Sequence, residues 1–170
     1  PAPVVAGNVE TSQSLIDVLN AAISIQAACY GTMNNITFGD NNFGYYETIC
    51  GGEGASFENN GSDAVHCHMT NTSITDPEIL EYFYPVRVKS FSIRLDSGGL
   101  GKWSGGNGVI REIEFLKKLD LSILSNRRVT TPFGIANGKP GKSGENWLKR
   151  LGKNKVRLLH VCQTKVFKGD

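Results

Sequence analysis

The chain has 170 residues, 39% of them hydrophobic and 20% charged, which argues against disorder and fits one globular domain with a core of its own. Its 18 Lys+Arg stand against 16 Asp+Glu and are scattered, so no basic stripe marks a nucleic-acid partner. No apolar run approaches the roughly 18 residues that a membrane span requires.

The segment "GNVETSQSLIDVLNAAISIQAACYG" places Val9, Ser12, Leu15, Ile16, Leu19, Ala22, Ile23 and Gln26 at near-helical spacing. This predicts the strongest helix of the chain, with Asn8 or Thr11 as its cap, Gly31 as its stop and many alanines and serines that suggest close packing against another element. A Gly/Asn-rich stretch follows, in which turn signals separate short runs that suit strands: Ile36–Phe38, Tyr45–Ile49 and a third over Ala64–Met69. "ITDPEILEYFYP" predicts a short helix that ends before Pro85. Thr75 and Glu78 fit a capping box, and Asp76-Pro77 offers an alternative start one residue on.

In "VRVKSFSIRLDSGG" the apolar positions change parity from Val86 and Val88 to Phe91, Ile93 and Leu95. Side chains alternate along a strand, so this predicts a bulge or bend around Ser90. "VIREIEFL", "LSILSNRR" and "VRLLHVCQTKVF" read as further strands, separated by the glycine-rich loops "SGGLGKWSGGNG" and "TPFGIANGKPGKSGEN". The sum is an α+β fold, predominantly β, with one long N-terminal helix, one short helix and about six strands. Residues 1–170 read as a single domain. The opening at Pro1 and the close at "KVFKGD" read as an excised piece of a longer chain.

Four cysteines, Cys29, Cys50, Cys67 and Cys162, lie far apart and lack zinc-finger or disulfide-framework spacing, which suits free thiols and a cytoplasmic location. The densest chemistry lies in "DAVHCHMTNTSITDPEILE". On a strand, His66 and His68 would share one face and Cys67 the other. That spacing serves a metal if Asp63, Glu47 or His160 supplies a third ligand, but the reading it favours is two histidines that hydrogen-bond structurally or line a polar pocket. Glu47, ahead of a glycine turn, stands where a carboxylate can act as general base. "ANGKPGKS" approaches a phosphate-binding loop, but Ala136 replaces the opening glycine, Pro140 removes an amide and no strand-to-helix transition surrounds it. It reads as a surface turn.

Taken together, "VVAGNVETSQSLIDVLNAA", "GYYETICGGEGAS", "HCHMTNTSITDPEILEYFYPVRV", "IRLDSGGLGKWSGGNGVIREIEFL", "LSILSNRRVTTPFGIANGKPG" and "FKGD" resemble, in register over nearly the whole chain, the hydantoinase B/5-oxoprolinase family. The resemblance covers a part toward the C-terminal end of much longer relatives. It implies ATP-dependent opening of a cyclic amide, a hydantoin or 5-oxoproline, with ATP bound by a hydantoinase A-type partner subunit or domain. Any divalent metal is then expected outside this chain, and the isolated piece is expected to be inactive. Related ketone carboxylases use the same pair of modules, and a non-catalytic interface role for this region stands as the alternative. Within the family-like motifs, Glu47, His66 and His68 are the candidate catalytic residues, and Thr70 and Asn71 the candidate substrate hydrogen-bonders. No metal ligand set is assigned inside the chain, and neither nucleic acid nor membrane is expected as a partner. Ser104, Asn60 and Asn137 depart from an expected arginine, aspartate and glycine.

Overall fold

The computed structural model describes residues 7–170. The first residues of the opening motif and the side chain of Asn8, one of the two caps considered above, lie outside what is described. A π-helical turn, Gly7–Thr11, leads into helix α1, Ser12–Ala22. Then come β1 (Asn35–Gly39), β2 (Gly44–Thr48), α2 (Pro77–Phe83), β3 (Val86–Arg94) and β4 (Gly108–Phe115). The chain closes with β5 (Leu119–Leu124), β6 (Asn146–Leu148), β7 (Val156–Leu158) and β8 (Val161–Val166). The architecture is α+β and predominantly β, with antiparallel pairing throughout the named strands.

A four-stranded sheet in the order β2-β1-β5-β8 carries the core. Phe38 on β1 is directly opposite Tyr45 on β2 and Leu121 on β5, so one face of three strands becomes continuous and apolar. Leu80 from α2, Val86 from β3 and Phe115 from β4 close over that face, together with Leu119 and Val166. Asp76 caps α2 by accepting from the amides of Glu78 (2.9 Å) and Ile79 (3.4 Å), with Pro77 in the first turn. The Asp-Pro start thus wins over the Thr75 box, because the proline has no amide to be left unpaired. The β3–β4 hairpin shifts register between Val88 and Ser90, and the bulge read from the parity change is there.

Three expectations are corrected. Residues 64–69 form no strand. Only Val65 bridges, to Gly51, while Ala64 (φ 52°) and His68 (φ 55°) adopt left-handed backbone that interrupts any pleat. "VRLLHVCQTKVF" is split into β7, which pairs with the unforeseen β6, and β8, which extends the main sheet, so eight strands replace about six.

The third correction concerns α1. It is 11 residues long, Thr11 makes no side-chain cap bond, and the backbone leaves the helix at Ile23, well before Gly31. Its inward face is polar: Gln13 and Asp17 are 0% and 3% exposed, while Val18 and Ile23 are 60% and 64% exposed, with Leu15 and Leu19 beside them. Gln13 and Asp17 are four residues apart, one turn of helix, and so lie on one face. That polar face meets the loops around Cys29 and Cys67, and the apolar face is left outward.

Candidate functional site

Glu47 is an inward residue of β2, carried on the same face as Tyr45 by strand alternation. Arg111 of β4 comes to meet it, with Nε 2.8 Å from Oε2 and Nη2 donating to Oε1 at 3.3 Å. The Thr75 amide donates to the same Oε1 (3.0 Å), and Tyr45 donates to the Thr75 hydroxyl (2.9 Å). Burial pushes the Tyr45 phenol up to about 12 and keeps it protonated. The guanidinium lies over the Phe91 ring at 5.0 Å, and its buried Nη1 has no hydrogen-bond partner. Among the described residues Nε and Glu47 Oε2 meet only as an ion pair, and Nη1 is a buried donor that an anionic or carbonyl oxygen would satisfy.

His66 follows in the loop after the Gly51–Val65 bridge. Its Nδ1 is 3.3 Å from the Tyr30 hydroxyl, and its Nε2 is 3.3 Å from the Thr72 hydroxyl. Tyr30 in turn is 2.7 Å from Thr70 Oγ1, and Thr70 donates to the Cys67 carbonyl (2.8 Å). Burial lowers the His66 pKa below its usual value, with the Glu47 carboxylate pulling the other way, so the ring is neutral at pH 7. Tyr30, also buried, is raised to about 12. A neutral imidazole between two hydroxyls, with a buried carboxylate near enough to act on its charge, can accept a proton from a hydroxyl or water and hand it on.

His68 belongs to a different cluster. Its Nε2 is 3.7 Å from Asp17 Oδ1, and Arg127 Nη2 donates to Asp17 Oδ2 at 2.9 Å. The Cys29 amide donates to Oδ1 (3.1 Å), and Cys29 Sγ lies 3.8 Å from Oδ2. The Cys67 thiol, hydrogen-bonded to Cys29, lowers the Cys29 pKa against the opposing burial, and the same bond raises Cys67. Gln13 ties the cluster together, donating to the Cys67 carbonyl (3.0 Å) and accepting from the Met69 amide (3.0 Å). All four cysteines are free thiols.

His66 and His68 therefore share the loop but not a face, and the intervening Cys67 is buried with His68's partners. None of Asp63, Glu47 and His160 is among the groups gathered around His68. Asp63 accepts from the Asn107 amide, Glu47 is held by Arg111, and the His160 carbonyl accepts from Ser125. Thr70 is buried with its hydroxyl committed to Tyr30 and Cys67, whereas Asn71 is exposed on the loop.

Sequence reasoning missed Tyr30, Arg111, Asp17, Cys29 and Arg127. Only the Gln13/Asp17 pair carried a readable signal, two polar residues one turn apart in an apolar helix. The others meet across sequence separations that no local pattern encodes.

The glycine-rich loops pack on each other through backbone. A Cβ on Gly52 or Gly106 would overlap the carbonyl of Gly106 or Ser62, respectively. Asn137, where a glycine was expected, has φ 68°, a conformation asparagine tolerates. Two more departures touch each other: Asn60 Oδ1 accepts from the Ser104 amide at 2.8 Å.

The loop at 136–143 does not fit a nucleotide phosphate. Four of its amides are already donated, Gly138 to Ile135, Lys139 to Leu100, Gly141 to Pro132 and Lys142 to Ser97, and among the described residues no helix follows. Among the described residues no helix is long and apolar enough to cross a membrane.

Comparison with known proteins places this arrangement. The family model described as Hydantoinase B/oxoprolinase matches residues 1–170. The chain is 52% identical over 157 residues to 5-oxoprolinase 1 of Arabidopsis thaliana, covering 92% of this chain and 12% of that protein. It is 56% identical over 151 residues to the 5-oxoprolinase of Dictyostelium discoideum, covering 88% of this chain and again 12% of the relative. Among solved structures, the ATP-dependent caprolactamase from Pseudomonas jessenii superposes with a TM-score of 0.78 at 25% identity, over 99% of this chain and 33% of the other. The chain thus spans about an eighth of the length of these curated oxoprolinases.

Proposed function

This chain belongs to the hydantoinase B/oxoprolinase family, and from that premise we propose that it is part of an ATP-dependent enzyme opening a cyclic amide, a hydantoin or 5-oxoproline. ATP is handled by a hydantoinase A-type partner subunit or domain, and the remainder of a longer B-type chain completes the site. The named relatives support the substrate class, since they are a lactamase and oxoprolinases. The amides of Gly138, Lys139, Gly141 and Lys142, already donated within the protein, support placing the nucleotide elsewhere.

The single observation that carries a catalytic reading is the His66–Tyr30–Thr72 network, on whose charge the Glu47 carboxylate, paired with Arg111, acts. An amide carbon is a poor electrophile, and activation of its oxygen leaves two tasks for this chain. One is to hold the developing negative charge, for which the unpartnered Nη1 of Arg111 is suited. The other is to take a proton from the attacking water and deliver it to the departing ring nitrogen, for which neutral His66 is suited. Glu47 orients Arg111, His68 supports the loop from the Asp17 side, and Asn71 is the exposed amide available to a substrate. Thr70 serves through Tyr30.

A second reading, that this region is chiefly an interface, is favoured by the outward apolar face of α1. Substitution His66→Gln in the full-length, assembled enzyme separates the two. Ring opening that falls by about 100-fold or more with assembly intact matches the loss of a general acid–base group. Unchanged turnover leaves the interface reading.

A further inference from the structure

The cluster around His68 has a property that the ring-opening reading does not use. One donor atom each from Asp17, Cys29 and His68 lies within 4.8 Å of the others. His68 Nε2 is 3.7 Å from Asp17 Oδ1 and Cys29 Sγ is 3.8 Å from Asp17 Oδ2, so imidazole and thiol approach different oxygens of one carboxylate, each at the roughly 3.3–3.8 Å donor–donor separation of a tetrahedral zinc with bonds of about 2.0–2.3 Å. The three residues come from a helix, the strandless segment after it and the loop at 66–72, so only the fold brings them together.

We propose that Asp17, Cys29 and His68 form a binding site for a single zinc-class divalent ion. Thiolate, imidazole and carboxylate together select zinc over magnesium or calcium, which prefer all-oxygen sets. Binding releases the Cys29 thiol proton to solvent and forms the metal–sulfur bond, with no change of oxidation state.

The surroundings are those of a supported ligand set. Metal-bound carboxylates are held by hydrogen bonds from behind, and Arg127 Nη2 and the Cys29 amide both donate to Asp17. Gln13 Nε2 lies 3.6 Å from Cys29 Sγ and also holds the Cys67 and Gly31 carbonyls. His68 meets Asp17 from left-handed backbone (φ 55°). The competing reading of the same atoms is a metal-free Asp17–Arg127 ion pair with His68 as a bystander.

The experiment uses the intact protein, stripped with chelator and reloaded with Zn2+ or Co2+ alone, so it does not depend on the substrate being identified. Wild type is expected to hold one equivalent of metal more per chain than Cys29→Ser. Its Co2+ form is expected to show a near-ultraviolet thiolate charge-transfer band that this variant lacks. His68→Asn, on the more open side of the cluster, is expected to lose the same equivalent while keeping its circular dichroism, and it decides the matter alone if Cys29→Ser does not fold. Arg127→Gln should weaken zinc binding by about 10- to 100-fold without changing its stoichiometry. Equal metal content in wild type and His68→Asn, or a Co2+ spectrum without a thiolate band, overturns the site. Neither result bears on ring opening, which His66→Gln reports separately.

Discussion

Arg111 Nε stands 2.8 Å from Glu47 Oε2, and the two side chains are 2% and 3% exposed, so a full ion pair from two separate sheets is sealed inside the protein. Removing one partner strands the other charge. Arg111→Met is expected to destabilise the chain by about 3–5 kcal/mol in chemical denaturation, and Glu47→Met by a similar amount. The double variant should cost clearly less than the sum. Additive losses would show that the two side chains act independently.

The lowered pKa of His66 has a consequence for stability against pH. The unfolded chain binds a proton near the usual value of 6.5, and the folded chain only below it, so the unfolded state carries more protons in that window. Stability is therefore complete above pH about 6.5 and falls as the pH drops toward the folded value. Comparing urea midpoints from pH 7.5 to 5 for wild type and His66→Gln tests this. The variant should show a shallower fall, and an identical slope removes His66 as its source.

Gln13 and Val18 sit on the same helix with opposite duties. Gln13→Ala leaves the Met69 amide without its acceptor and removes one of the donors to the Cys67 carbonyl, at about 1–3 kcal/mol. Val18→Ser, on the outward face, is expected to change stability by no more than about 0.5 kcal/mol. In the assembled enzyme the ranking should reverse, with Val18→Ser weakening association. Thermal melts and gel filtration of both variants read the two effects.

Gly52 and Gly44 differ in what a methyl group would meet. Gly52→Ala drives Cβ into the Gly106 carbonyl, whereas Gly44 has nothing within 4 Å. Gly52→Ala should cost about 3 kcal/mol or more, since backbone on both sides must move, and Gly44→Ala less than about 1 kcal/mol. Comparable melting temperatures for the two would mean that the glycine loops are not held by close backbone approach.

The parts of the fold that the sequence reveals are those governed by neighbours along the chain. The parity change before Phe91 is a bulge because alternation is a local property of a strand. Asp76-Pro77 opens α2 because a cap and a missing amide act within one turn. The family is legible for the related reason that long motifs in register are a property of the linear chain. The loop at 64–69 misleads because β-like composition does not reveal that Ala64 and His68 take left-handed backbone, which their tertiary partners impose.

Sequence alone determined the α+β class, the bulge before Phe91, the capped short helix and the choice of Glu47, His66 and His68 as the chemically notable residues. Tertiary structure alone decided that these three have separate partners: Glu47 has Arg111, His66 has Tyr30, and His68 has Asp17 and Cys29. It also decided which face of α1 is inside. Hydrophobic periodicity gives a helix two faces but not their assignment, and here hydrogen bonds from Gln13 and Asp17 to buried backbone turn the polar one inward.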